Sequence, residues 1–348
     1  MKKILALVLA LMLCIGCASA FADKVGVAMP TQSLQRWNQD GENIKAQLEA
    51  AGFEVDLQYG GNNEVALQVS QIENMILGGA KVLVIASIDG GALDTVLAQA
   101  KEAGIPVIAY DRLLTGTKNV DYYTTFDNYG VGTIQGTYVK EKLDLDNAEG
   151  PFTIEFTAGS RDDNNALLFF QGAYDVLLPY IESGKLIVKS GQTDFQQIAT
   201  PGWKSETAQA RMDNILTAYY SDGTKLDVAL CSNDSTALGV TNSLVSFGIA
   251  AEDMPIITGQ DCDVPNTKNM IKGLQSMSVF KDTRVLADQT VKMVVDILAG
   301  NTPETNATYD NGVMEVPSYN CTPLFADVNN YKELLLDSGY YTEADLAD

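Results

Sequence analysis

The 348-residue chain contains no histidine. That removes the commonest general base, the commonest metal ligand and every Ser–His or Cys–His nucleophile pair. Catalysis would fall to paired carboxylates, as in glycoside hydrolysis. Cysteine is scarce too, and two of the five, Cys14 and Cys17, lie close to the amino end. Cys231, Cys262 and Cys321 are odd in number and widely spaced. They make neither a disulfide framework nor a zinc ligand set, and buried free thiols are expected. No cofactor is implied. Basic residues are outnumbered, 23 Lys and Arg against 45 Asp and Glu, for a net charge of −22. Such a field repels nucleic acid and anionic membrane surfaces. No glycine-rich Walker loop occurs, and no apolar run is long enough to span a bilayer.

What is present begins with a leader. Lys2 and Lys3, an apolar run over 4–13 and small residues ending Ala20-Phe21-Ala22 read as a secretory signal peptide, 1–22. A cut before Cys17 would instead anchor the protein by lipid on the outer face of the cytoplasmic membrane. Cys14 stands where a lipoprotein signal usually has Leu, so plain cleavage is favoured.

Beyond the leader, strand, polar tip, helix and glycine alternate. Buried strands are predicted over 25–30, 53–59, 81–87, 105–110 and 122–126, with helices between them. A second series follows, with strands over 152–157, 185–189, 227–231, 254–258 and 276–280. GIPVIAYD (104–111) and MPIITGQD (254–261) echo one another, each placing an Asp just past its strand. The pattern implies an α/β chain with two similar doubly wound parallel-sheet lobes.

In open parallel sheets, ligands sit beyond the carboxyl ends of the strands. The polar residues collected there are Arg36, Trp37, Asp111, Arg112, Asp163, Asn165, Asn233, Asp261 and Lys281, with Trp203 in a Pro-Gly loop. Forked donors and acceptors match the hydroxyls of a pyranose, and indoles match its C–H faces. Each residue also has a plainer explanation. Asp111-Arg112 alone could be a surface ion pair, Asn165 an exposed residue of a helix's first turn, and Trp203 a packing plug. Asp111 and Asp261 lie beyond strand ends, so replacing either is expected to remove binding and spare the fold.

MPTQSLQRW, SQIENM, VIAYDRL, TFDN, DDNNA, AQARMDN, SND, GQD, KDTR, YDNGV, PSY and SGYY occur in that order. With these motifs the chain resembles the periplasmic monosaccharide-binding proteins of bacterial ABC importers, in particular the multiple-sugar-binding and xylose-binding branch. The resemblance runs from about Lys24 to Tyr341. It implies the type I periplasmic binding fold, two lobes joined by a three-segment hinge and closing on an aldose. Carried over, Arg36, Trp37, Asp111 and Arg112 would bind from the first lobe. Asp163, Asn165, Trp203, Arg211, Asn233 and Asp261 would bind from the second, with Lys281 on the hinge side. The first lobe would comprise 23–127 plus 282–311, and the second 128–281 plus 312–348.

The expected partners are a monosaccharide and the permease subunits of an ABC importer, with a chemoreceptor as an optional further partner, no nucleic acid and a monomeric state. Three rivals differ in class. A carboxylate glycosidase needs one acid held neutral. A sugar-responsive repressor needs a helix-turn-helix at the amino end, where this chain has its leader. A receptor for a sugar-like signalling molecule would share the whole pattern.

Overall fold

The computed structural model describes residues 22–347. The expected signal peptide, apart from Ala22, and Cys17 lie outside the described residues. Strands Lys24–Met29, Glu54–Tyr59, Val82–Ile85, Val107–Tyr110 and Tyr122–Phe126 run parallel in a seven-stranded sheet. The VLVI and VIAY strands are buried along their whole length, because helices cover both faces. On one face Ile72, Met75 and Leu97 pack on Leu83 and Ile85. On the other, Trp37, Ile44, Leu48 and Met293 pack on Val84 and Ile108.

The second sheet runs in the order Leu186–Ile187, Phe152–Thr157, Val228–Cys231, Ile256–Ile257, all parallel. A bridge from Gln260 to Val279 carries it on to Met277–Phe280, which pairs antiparallel with Leu324–Asp327. Both predicted strand series are therefore found. Cys231, Cys262 and Cys321 are buried free thiols. Among the described residues, no helix is long and apolar enough to cross a membrane.

The expected crossing near Gly312 requires correction. Residues 311–314, with Asn311-Gly312 at their start, are the turn of a hairpin, Ala307–Asp310 against Glu315–Cys321. Asn311 braces that turn, its Nδ2 donating to the carbonyls of Leu114 at 3.0 Å and Thr117 at 2.9 Å. Glu315–Cys321 then pairs parallel with Tyr122–Phe126, so it belongs to the first sheet. The chain crosses instead between Cys321 and Leu324. The three crossings, at Asp127, at Lys281-Asp282 and after Cys321, gather on one side. Asp127 N donates to the Cys321 carbonyl at 3.2 Å.

Candidate functional site

Helix Gln35–Ala50 opens without a side-chain cap, and its first turn carries a buried Arg36 into the space between the lobes. The guanidinium there serves three carboxylates. Its Nε donates to Asp40 Oδ2 at 2.5 Å, one Nη to Asp111 Oδ2 at 2.6 Å and the other to Asp261 Oδ1 at 2.9 Å. Lys281 Nζ lies 3.3 Å from Asp261 and 3.9 Å from Asp111. The two aspartates of the sequence echo thus meet across the cleft on shared cations. Both leave their strands in left-handed backbone, φ 59° at Asp111 and 98° at Asp261. Such conformations cost about 1–3 kcal/mol and persist where surrounding contacts enforce them. At Asp111 the enforcing contacts converge on its carbonyl, which accepts from Tyr123 Oη, Thr125 Oγ1 and Asn165 Nδ2.

A second cross-lobe pair joins Arg112 to Asp163, Nε to Oδ2, at 3.1 Å. Arg112 also donates to the Ser87 carbonyl at 3.0 Å and lies over the Trp37 ring, 4.9 Å from its centre. Asp163 caps helix Asn164–Glu182 through Asn165 N, and Asn233 caps Asp234–Phe247 in a capping box. Trp203 packs edge-on against Phe169, and Gly159 makes room for its ring: a Cβ there would fall 1.9 Å from Cη2.

Ten of the eleven residues expected from sequence border one narrow cavity between the lobes, about 30 Å³ in volume and part open to solvent. Arg211 is the exception and requires correction. Its guanidinium donates to the Phe156 carbonyl at 2.7 Å and to Gln192 at 2.6 Å, away from the cavity, because helix Ser205–Ile215 lies against the sheet. Five further wall residues went unpredicted: Leu34, Phe169, Ser235, Gln260 and Asp263. Leu34 and Phe169 carry the apolar character of core residues. Gln260 and Asp263 flank Asp261 in GQDCD, and that adjacency was the available signal.

Burial works against charge at Asp111, but Arg36 and Lys281 outweigh it and hold the carboxyl below its ordinary range. At Asp163 burial wins over Arg112 and the carboxyl rises. Asp40 is fully enclosed, and burial lifts it to about 6 in spite of Arg36. A raised carboxyl holds a proton in the folded state that the unfolded chain releases near its ordinary value of 3.8. Its stability contribution is therefore complete below that value and is lost as pH rises through about 6. Asp40→Asn should flatten this part of the profile. The check is the difference in urea midpoint between variant and parent, followed from acid to neutral pH; parallel profiles would refute the assignment.

Four buried polar atoms of the cavity wall have no hydrogen-bond partner among the described residues: Arg112 Nε, Trp203 Nε1, Gln260 Oε1 and Asp263 Oδ1. For Arg112 the approach to Asp163 is close but off line. Leaving such a group unmatched costs about 1–3 kcal/mol. The wall thus offers donors and acceptors at once, beside two indoles and a set of ion pairs.

Comparison with known proteins agrees with this architecture. Residues 25–302 match the periplasmic binding protein domain. A multiple sugar-binding periplasmic receptor, ChvE of Rhizobium radiobacter, is 51% identical over 331 residues, 93% of each chain. The D-xylose-binding periplasmic protein of Escherichia coli is 36% identical, covering 93% of this chain and 92% of that one. A solved ABC transporter solute-binding protein from Clostridium phytofermentans, with bound β-D-glucose, superposes with a TM-score of 0.91. It is 61% identical, covering 93% of this chain and 100% of that one. With its two parallel-sheet lobes and the cavity between them, this chain belongs to the periplasmic binding protein family, on the type I fold.

Proposed function

We propose that the chain is a secreted solute receptor that encloses an aldose, such as xylose, glucose, galactose or arabinose, between its lobes and delivers it to a membrane ABC importer. A chemoreceptor is an optional second partner. The carrying observation is the set of unmatched polar atoms in a wall that also holds paired charges and two indoles. A pyranose supplies hydroxyls that donate and accept, and C–H faces for Trp37 and Trp203. Sugars are named among the relatives: multiple sugars for ChvE, D-xylose for the E. coli protein and β-D-glucose in the solved structure. The proposed contacts are the ten sequence-predicted residues of the wall, with Arg211 supporting the sheet instead.

Binding without turnover fits the electrostatics. Asp111 and Asp261 are held in ion pairs by Arg36 and Lys281, and at Asp111 those cations hold the carboxyl below its ordinary range, which favours an ionised acceptor over a proton donor. Titration calorimetry of the mature chain against pentoses and hexoses should give saturable binding of at least one aldose, with Kd on the order of 1 μM or tighter. Incubation with aryl-glycosides should release nothing. No binding across the panel, or release that survives repurification and vanishes in Asp111→Asn, would overturn the reading.

A further inference from the structure

Asp263 differs from the other aspartates and asparagines at helix starts. Asp127, Asp163, Asp194, Asn233 and Asp282 each stand at an N-cap and each accept a backbone N–H of the following turn. That is the ordinary use of a short polar side chain there. Asp263 holds the same position before helix Val264–Ile271 and makes no cap bond. Its side chain borders the cavity, its Oδ1 has no partner, and the residue is only 8% exposed. Pro265 leaves the second position of that helix without an N–H and Val264 N is taken by Gln35. A carboxylate left unmatched in a cleft wall is costly as an anion and much cheaper as a neutral acid.

We propose that Asp263 is a further ligand-facing group of the cleft and is held as the neutral acid once the lobes close, so that capture of the solute takes up one proton from solvent. The inference rests on the solute-receptor reading above.

The surroundings support it from every side. Asp261, at the preceding strand end, is a like charge that opposes ionisation. Asp234, on helix Asp234–Phe247, is buried beside it, and its own carboxyl is raised by burial and by Asp263. Asp234 Oδ2 already accepts the Asp263 backbone N–H at 2.8 Å, which anchors the main chain whatever the side chain does. The opposing cations are Arg36 and Lys281. Both engage Asp261, and Arg36 is committed to Asp40 and Asp111 as well. Burial is the largest influence and raises the group, Asp261 adds to it, and the two cations offset only part.

The first lobe supplies much of the enclosure. Leu34 shares the cavity wall with Asp263, and Gln35 Oε1 accepts from Val264 N at 3.1 Å. When the lobes part, those neighbours leave and water reaches the carboxyl, which then ionises near the ordinary range. The closed, loaded form therefore binds a proton that the open form releases. As a neutral acid Asp263 can donate to a ring or hydroxyl oxygen, a role an anion cannot fill.

The test is titration calorimetry with D-glucose, the sugar held by the solved relative, from about pH 5 to about pH 8.5, in two buffers of different ionisation enthalpy. In the parent protein, affinity should fall with rising pH by up to about tenfold per unit. The heats in the two buffers should differ by an amount that reports proton uptake. Asp263→Asn imitates the neutral acid, so its affinity should stay near the parent's acid-side value throughout, with equal heats in both buffers. A pH-independent parent, a slope that persists in Asp263→Asn, or loss of affinity in that variant at the acid end would each overturn the inference and leave the receptor reading standing. If neither D-glucose nor any other sugar of the panel bound the parent, the receptor reading would fall and this inference with it.

Discussion

Arg36→Ala should abolish measurable sugar binding and cost about 3–5 kcal/mol of folding stability, the usual consequence of removing one partner from a buried ion network. Asp40, Asp111 and Asp261 would lose their shared guanidinium, and Lys281 reaches only two of them. Arg36→Lys should recover part of the stability but little affinity, because a single ammonium cannot serve three carboxylates in a plane. Urea denaturation and calorimetry of both variants are the measurements. Near-parental stability in Arg36→Ala would mean that the network does not hold the lobes together. The same burial revises the expectation that Asp111 and Asp261 can be replaced without harm to the fold. Each is about 95% buried against a guanidinium and an ammonium. Asp111→Ala and Asp261→Ala should therefore lower stability as well as binding.

Gly159→Ala is expected to weaken sugar binding at least about tenfold, some 1.4 kcal/mol, although residue 159 would itself touch no solute. The new methyl would lie 1.9–2.3 Å from three carbons of the Trp203 ring, so the indole must leave its seat. Overpacking of this kind costs about 1–3 kcal/mol in stability. Trp37 and Trp203 are the only tryptophans, so emission from a Trp37→Phe background reports the Trp203 ring alone. A changed spectrum with reduced affinity is the expected pair of results. Unchanged emission and unchanged affinity would remove Trp203 from the solute's surroundings.

The strand tips were legible because apolar runs such as VIAY and VALC end abruptly in polar residues, and a parallel sheet sends all such ends to one side. What stayed hidden was what two faces share. Phe169 lies on a helix whose apolar stripe builds the second lobe's core, so nothing in its spacing distinguishes a cavity wall from packing. Asp263 sits just ahead of a helix and passes for an ordinary cap. Arg211 stands in a motif of the right order, yet its fork is taken up by the Phe156 carbonyl and Gln192. The crossing at Gly312 was misplaced because Asp-Asn-Gly marks a turn equally well in a linker and in a hairpin. Only the return of Glu315–Cys321 to the first sheet separates the two.

Lys281 directly follows strand Met277–Phe280, at the second of the three crossings. Rotation about an axis displaces each atom in proportion to its distance from that axis. Lys281 therefore changes place little as the lobes part, whereas Arg36 and Arg112 swing away from Asp261 and Asp163. Lys281 is thus a cation already in position when the lobes are apart, which assigns it to the encounter with solute. The two arginines form their cross-lobe pairs last and must release them first. Substitutions at Lys281 should accordingly weigh on the rate of association, and substitutions at the arginines on the lifetime of the complex.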